Sequence, residues 1–128
     1  MNKEELLKLL ESLKIDKNEY FILSTSSLVL RDLIDKANDL DIAVTSKGLE
    51  ELKENYNLKQ KENGWYIIND MVECVLDDDI DTKAEKIGDY YLHTLENYYN
   101  YIKDSTREKD KIKLEIIKKE LDKGNTNN

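Results

Sequence analysis

Apolar residues recur along this chain with two periods, and each change of period marks an element. Leu6, Leu9, Leu10 and Leu13 keep the three-to-four spacing of one helix face, and Asn2 with Glu5 forms an N-cap and its box partner, so a helix is expected over 3–13. Residues 15–19 connect it to Tyr20–Leu23, a short, partly aromatic run of strand type. Ser24, Thr25, Ser26 and Ser27 precede Leu28, Val29, Leu30 and Leu33. That order predicts a helix whose start is either capped by serine or presents a hydroxyl turn to phosphate. Asp39–Val44 then alternates. Leu40, Ile42 and Val44 point to one face, and Asp39 and Asp41 stand side by side on the other.

Further along, Ser46 is expected to cap a helix running to about Asn55 with Leu49, Leu52 and Tyr56. Leu58–Gln60 and Trp65–Ile68 flank Asn63-Gly64, a strong hairpin signal. Asn69-Asp70 turns the chain into the strand Met71–Leu76, with Met71, Glu73 and Val75 on one face and Val72, Cys74 and Leu76 on the other. Glu73 stands out, because a carboxylate within an apolar strand costs free energy unless it is paired, metal-bound or at a cleft rim. The acids Asp77, Asp78, Asp79 and Asp81 do not make a calcium loop: Thr82 stands where glycine is needed and Gly88 where the bidentate glutamate is needed. They are expected to be a solvated turn. Tyr90–Leu92 reads as a short strand, and Thr94 as the cap of a helix with Leu95, Tyr98, Tyr99 and Ile102 on one face. Ile112, Ile116 and Ile117 predict the stripe of a final helix within the basic stretch Lys103–Lys119. Five of the eight tyrosines lie between 90 and 101. A base-stacking surface is conceivable there, but core and rim positions are the expectation, and His93 is expected to be structural or exposed.

The whole is a single α+β domain over 1–121, with a disordered tail at 122–128. At 128 residues the chain is long enough for one core and one cleft. A net charge of −8 argues against a large nucleic-acid footprint, although twenty Lys and Arg leave room for a local basic patch. One cysteine, Cys74, excludes an internal disulfide. No apolar run approaches 18 residues and no signal peptide is evident, so the expectation is a cytoplasmic protein with no membrane partner.

Two aspartates at the mouth of an apolar strand suit a hard divalent cation such as Mg²⁺. With Asp39-Leu40-Asp41, Glu73 on a later strand, and Arg107-Glu108-Lys109-Asp110 near the end, the chain resembles the minimal nucleotidyltransferases of the polymerase-beta type. The nearest in kind are the small prokaryotic and phage-borne members, AbiEii-like or antibiotic-modifying. The resemblance spans about 3–121. It implies a mixed sheet packed by helices, with a C-terminal helical segment, and a two-metal transfer of a nucleoside monophosphate from an NTP to an acceptor. On this reading Asp39 and Asp41 bridge two Mg²⁺ ions, and Glu73 binds the second ion or acts as general base. Ser24 and Thr25 contact the phosphates, and Lys103, Arg107 and Lys109 neutralise the leaving pyrophosphate. The acceptor is a small molecule, a protein or an RNA end, and a homodimer or protein partner completes its recognition. The chain departs from the family pattern in having Ser24-Thr25 in place of Gly-Ser, Asp32 in place of a glycine, and Lys113 in place of an acid. A non-catalytic module of the same fold that binds a partner or ligand, and an interaction domain with unrelated acids, are the alternatives.

Overall fold

The computed structural model describes residues 1–126. The chain divides into two compact units, one over Met1–His93 and one beginning at Thr94.

The first unit is built on one mixed sheet. Its strands are β1 (Tyr20–Ile22), β2 (Leu40–Val44), β3 (Lys59–Gln60), β4 (Tyr66–Asn69), β5 (Val72–Leu76), β6 (Ala84–Ile87) and β7 (Tyr90–His93). They lie in the order β3-β4-β5-β2-β1-β7-β6. β1 pairs antiparallel with β2 and parallel with β7, while β2 pairs parallel with β5. The mixed α+β architecture expected from the sequence is therefore present. Alternation explains the core: Tyr20, Ile22, Leu40, Ile42, Val44, Val72, Cys74, Tyr90 and Leu92 are buried in one cluster. Leu6 and Leu10 of α1 (Lys3–Ser12), Val29 and Leu30 of α2 (Ser24–Leu30), and Leu49 and Leu52 of α3 (Ser46–Asn55) belong to the same cluster.

α1 starts as expected, with Asn2 and Glu5 completing a reciprocal capping box. Two other starts differ from expectation. The hydroxyl run does not cap α2: Leu23 holds the N-cap position with no side-chain bond, and the four hydroxyl residues form the first turn itself. There Ser27 Oγ donates to the Ser24 carbonyl at 2.7 Å and Ser26 Oγ to the Asp39 carbonyl at 2.8 Å. α2 ends at Leu30, so Leu33 falls outside it. In α3 the cap is Thr45, whose Oγ1 accepts from the Gly48 N–H at 3.1 Å. Ser46 instead donates to Asp78, from N at 2.6 Å and from Oγ at 2.8 Å.

That contact changes the picture of the acidic run. Asp78 anchors α3, and Asp77 takes Lys83 at 2.7 Å. Asp79 caps the short helix α4 (Ile80–Lys83) through the Thr82 N–H. The run is a turn wired to its surroundings rather than merely solvated. After α4 comes β6, a strand the apolar pattern did not indicate because its residues are largely exposed. Its hairpin with β7 has the two-residue loop Gly88-Asp89, with Gly88 at φ +63°. The Asn63-Gly64 hairpin forms as expected, with Gly64 at φ +91°.

The second unit holds α5 (Leu95–Ile102), capped by Thr94 through the Asn97 N–H at 3.2 Å, and α6 (Glu108–Thr126). Ile117 of the expected stripe is fully buried, but Ile112 is 62% exposed. α6 runs over residues 122–126 of the expected tail; residues 127–128 lie outside the described residues.

Candidate functional site

The site is at the end of the sheet where the interior strands β2 and β5 begin side by side. Because the pair is parallel with Leu40 opposite Val72, Asp41 falls directly opposite Glu73. Register partners on neighbouring strands share a face roughly 4.8 Å apart, so these two carboxylates are neighbours on the face away from Leu40, Ile42, Val72 and Cys74. Both are half-buried. Glu73 Oε1 accepts from Lys61 Nζ at 2.9 Å, a pair in which both side chains stay about one-third exposed (39% and 35%). Lys61 was not visible as a site residue in the sequence, because only the hairpin register brings it to Glu73.

Asp39 sits differently from expectation. The strand starts at Leu40, and Asp39 is an exposed residue in the bend before it, whereas Asp41 is half-buried within the strand. The Ser26 hydroxyl donates to the Asp39 carbonyl at 2.8 Å. On the β5 side the Leu40 N–H donates to the Met71 carbonyl at 2.8 Å.

On the other side of β2, the Leu23 N–H donates to the Asp41 carbonyl at 2.9 Å. This bond ties the end of β1, and hence the turn of Ser24 and Thr25, to the strand that carries Asp41. Both hydroxyl residues are half-buried. Ser24 adopts φ +55°, a left-handed conformation that non-glycine residues seldom hold.

One strand further, Arg31 reaches the end of β7 with only 7% of its side chain exposed. Its Nη2 donates to Glu85 Oε1 at 2.7 Å and to the His93 carbonyl at 2.9 Å. His93 packs its ring on Phe21, centroids 5.9 Å apart. Burial, then the positive charges of Arg31 and Lys83, push its pKa down to about 4, against a smaller opposing pull from Asp77. The imidazole is therefore neutral at pH 7, and it serves the packing of β1 on β7. Burial also raises the Cys74 thiol to about 11, with Glu73 adding to the effect, so the buried Cys74 is held as a neutral thiol at pH 7.

Lys103, Arg107 and Lys109 belong to the second unit and are exposed there. Asp110 of the same motif is buried within that unit and accepts from Ser105 Oγ at 2.6 Å, which fixes the entry to α6. The tyrosines make no uniform stacking surface: Tyr90 and Tyr98 are buried, Tyr91 and Tyr99 half-buried, and Tyr101 is 79% exposed.

The structure thus brings Asp41 and Glu73 together, with the Ser24-Thr25 turn strapped alongside. Among the described residues no group of three or more His, Cys, Asp or Glu is arranged to hold a metal ion. Mg²⁺, however, is commonly held by one or two carboxylates and completes its shell with water and substrate phosphate. Two hard oxygen donors at a half-exposed rim fit that chemistry. Comparisons with known protein families, with curated proteins and with solved structures found no match.

Proposed function

We propose that the first unit is a nucleotidyltransferase-type domain that takes an NTP and transfers its nucleoside monophosphate to an acceptor hydroxyl. The observation that carries this reading is the direct opposition of Asp41 and Glu73 across parallel strands, beside a hydroxyl turn tied to the Asp41 backbone. The backbone adds support. Ser24 and Asp32, at φ +55° and +61°, occupy positions where the resembled family carries glycine.

Asp41 and Glu73 would hold Mg²⁺, with Asp39 entering from the bend. When bound, Mg²⁺ supplies charge neutralisation on the phosphates and lowers the pKa of the acceptor hydroxyl. The hydroxyls of Ser24 and Thr25 would donate to phosphate oxygens and set the α-phosphorus in line with the acceptor. The acceptor oxygen bonds to that phosphorus as its bond to the pyrophosphate oxygen breaks. The hydroxyl proton passes to a carboxylate, for which Glu73 is the candidate base.

A second reading is a non-catalytic module of the same architecture that binds a protein partner or ligand. The observation favouring it is that Lys61 already neutralises Glu73. Calorimetric titration with each NTP, with and without Mg²⁺, separates the two. The enzyme reading expects saturable, Mg²⁺-dependent binding that is lost in Asp41→Asn and in Asp39→Ala/Asp41→Ala. Absence of binding to every NTP would favour the module.

A further inference from the structure

The tip of the β3–β4 hairpin holds the one asparagine of the chain that is followed by glycine, Asn63 before Gly64. The amide nitrogen of a residue after asparagine is placed to attack the asparagine side-chain carbonyl, and glycine puts no Cβ in the way of that ring closure. Glu62, Asn63 and Gly64 are all exposed, and a Cβ built on Gly64 would meet nothing within 4 Å, so solvent reaches the reacting groups. Two hydrogen bonds of the turn oppose the reaction. The Gly64 N–H, whose nitrogen is the nucleophile, donates to the Lys61 carbonyl at 3.0 Å, which engages the proton that has to leave. Asn63 Oδ1 accepts from the Trp65 N–H at 3.1 Å, which ties the side-chain carbonyl to the residue beyond. The tip therefore carries a labile pair and the contacts that restrain it.

We propose that Asn63 is a site of spontaneous deamidation that the hairpin gates: the reaction proceeds when the Gly64–Lys61 and Trp65–Asn63 hydrogen bonds open, and its product unlocks the turn. The inference is independent of the nucleotide reading. The Gly64 nitrogen gives its proton to hydroxide and bonds to Asn63 Cγ, the Cγ–Nδ2 bond breaks, and the nitrogen leaves as ammonia with a proton taken from water. Water then opens the cyclic imide at either carbonyl. One opening leaves aspartate at position 63, and the other leaves isoaspartate, in which the main chain runs through the side-chain carbon. The sum is one water consumed and one ammonia released, with no change of oxidation state. Isoaspartate lengthens the main chain inside the short loop between Lys61 and Trp65, so the Gly64 N–H no longer meets the Lys61 carbonyl. The loosened turn also carries Lys61, whose ammonium lies 2.9 Å from Glu73 Oε1, away from β5.

Trp65, the single tryptophan, bonds to Lys61 and Asn63 across the loop and reports on the hairpin. The test is prolonged incubation of the full chain at mildly alkaline pH, folded in buffer and unfolded in urea, with Asn63→Gln alongside. Peptide mapping by mass spectrometry follows the exchange of amide nitrogen for oxygen at each asparagine, and Trp65 emission is read on the same folded samples. Position 63 should convert ahead of every other asparagine in the folded chain, with isoaspartate among the products. It should do so about thirtyfold more slowly than in urea, a factor that equals about 2 kcal/mol and matches two hydrogen bonds of ordinary net strength. Trp65 emission should shift as conversion proceeds and stay constant in Asn63→Gln, whose longer side chain disfavours the ring closure. No conversion at position 63 in the folded chain, or faster conversion at another asparagine, would overturn the site. Equal rates in buffer and in urea would overturn the gate, and conversion without a change in Trp65 emission would overturn the unlocking of the turn.

Discussion

Ser24, at φ +55°, and Asp32, at φ +61°, bracket α2 with the same left-handed backbone, and they are the non-glycine residues with positive φ among the described residues. For an L-residue this conformation costs about 1–2 kcal/mol. Helix α2 is thus entered and left through turns that glycine would make at lower cost. Ser24→Gly should be neutral to stabilising by up to about 1 kcal/mol, the relief of strain being partly offset by the freer unfolded chain. Ser24→Val, with a branched Cβ in the same conformation, should destabilise by about 1–2 kcal/mol. Urea midpoints of the three proteins check both signs. If the proposed function holds, Ser24→Gly should also tighten Mg²⁺-dependent NTP binding, because the backbone can approach the phosphates more closely.

Gly48 is buried in the first turn of α3, and a Cβ there would lie 2.6 Å from the Glu19 carbonyl oxygen. That oxygen also accepts the Thr45 N–H at 3.0 Å, so it is not free to retreat. Gly48→Ala should therefore destabilise by about 1–3 kcal/mol, despite the better helix propensity of alanine. A lowered thermal midpoint with unchanged far-ultraviolet circular dichroism at 20 °C is the expected result, and a raised midpoint would contradict the close approach.

The neutral His93 makes stability depend on pH with a definite sign. Its pKa is about 4 in the folded chain and 6.5 as the ordinary value, so the unfolded chain binds the extra proton first. The stabilisation is complete above about pH 6.5 and is lost as pH falls from there through 4. The half-exposed setting reduces its size to about 1–2 kcal/mol. Asp77 behaves likewise in a lower window: burial would raise its pKa, but Lys83 and the Asp79 N–H hold it below 3.8 overall. Unfolding free energies measured from pH 7.5 to 4 should fall in the unaltered chain, and the slope should flatten in His93→Asn. An unchanged slope would assign the acid sensitivity to other groups.

How much of this was legible beforehand follows from the range of each interaction. The capping box of α1 and the Asn63-Gly64 hairpin are set by residues within a few positions of each other, and they formed as read, as did the alternation of β2 from Leu40 and of β5 through Cys74, although Asp39 fell outside the strand and Leu76 is exposed. β6 escaped notice because an edge strand needs no apolar face, although Gly88-Asp89 carried a two-residue hairpin signal. The opposition of Asp41 and Glu73 depends on a register between strands 32 positions apart, and the two alternating faces only narrowed it to one side of the sheet. Lys61 and Arg31 could not be foreseen at all. Their roles come from where a hairpin and a helix end are delivered in space, and no local pattern records that.

The place of β1 between β2 and β7 has a consequence for how the chain is made. β2 follows β1 closely, so that antiparallel pair can form early in synthesis. The other partner arrives only when Leu92 is available to lie beside Ile22. Loop closure over that span is slow compared with a local turn. A nascent chain shorter than this therefore carries an apolar three-residue strand with one open edge, the kind of surface that recruits foreign strands. The short length of β1 limits that exposure, and the sheet can be completed only once β7 is available to pair with the first strand to be synthesised.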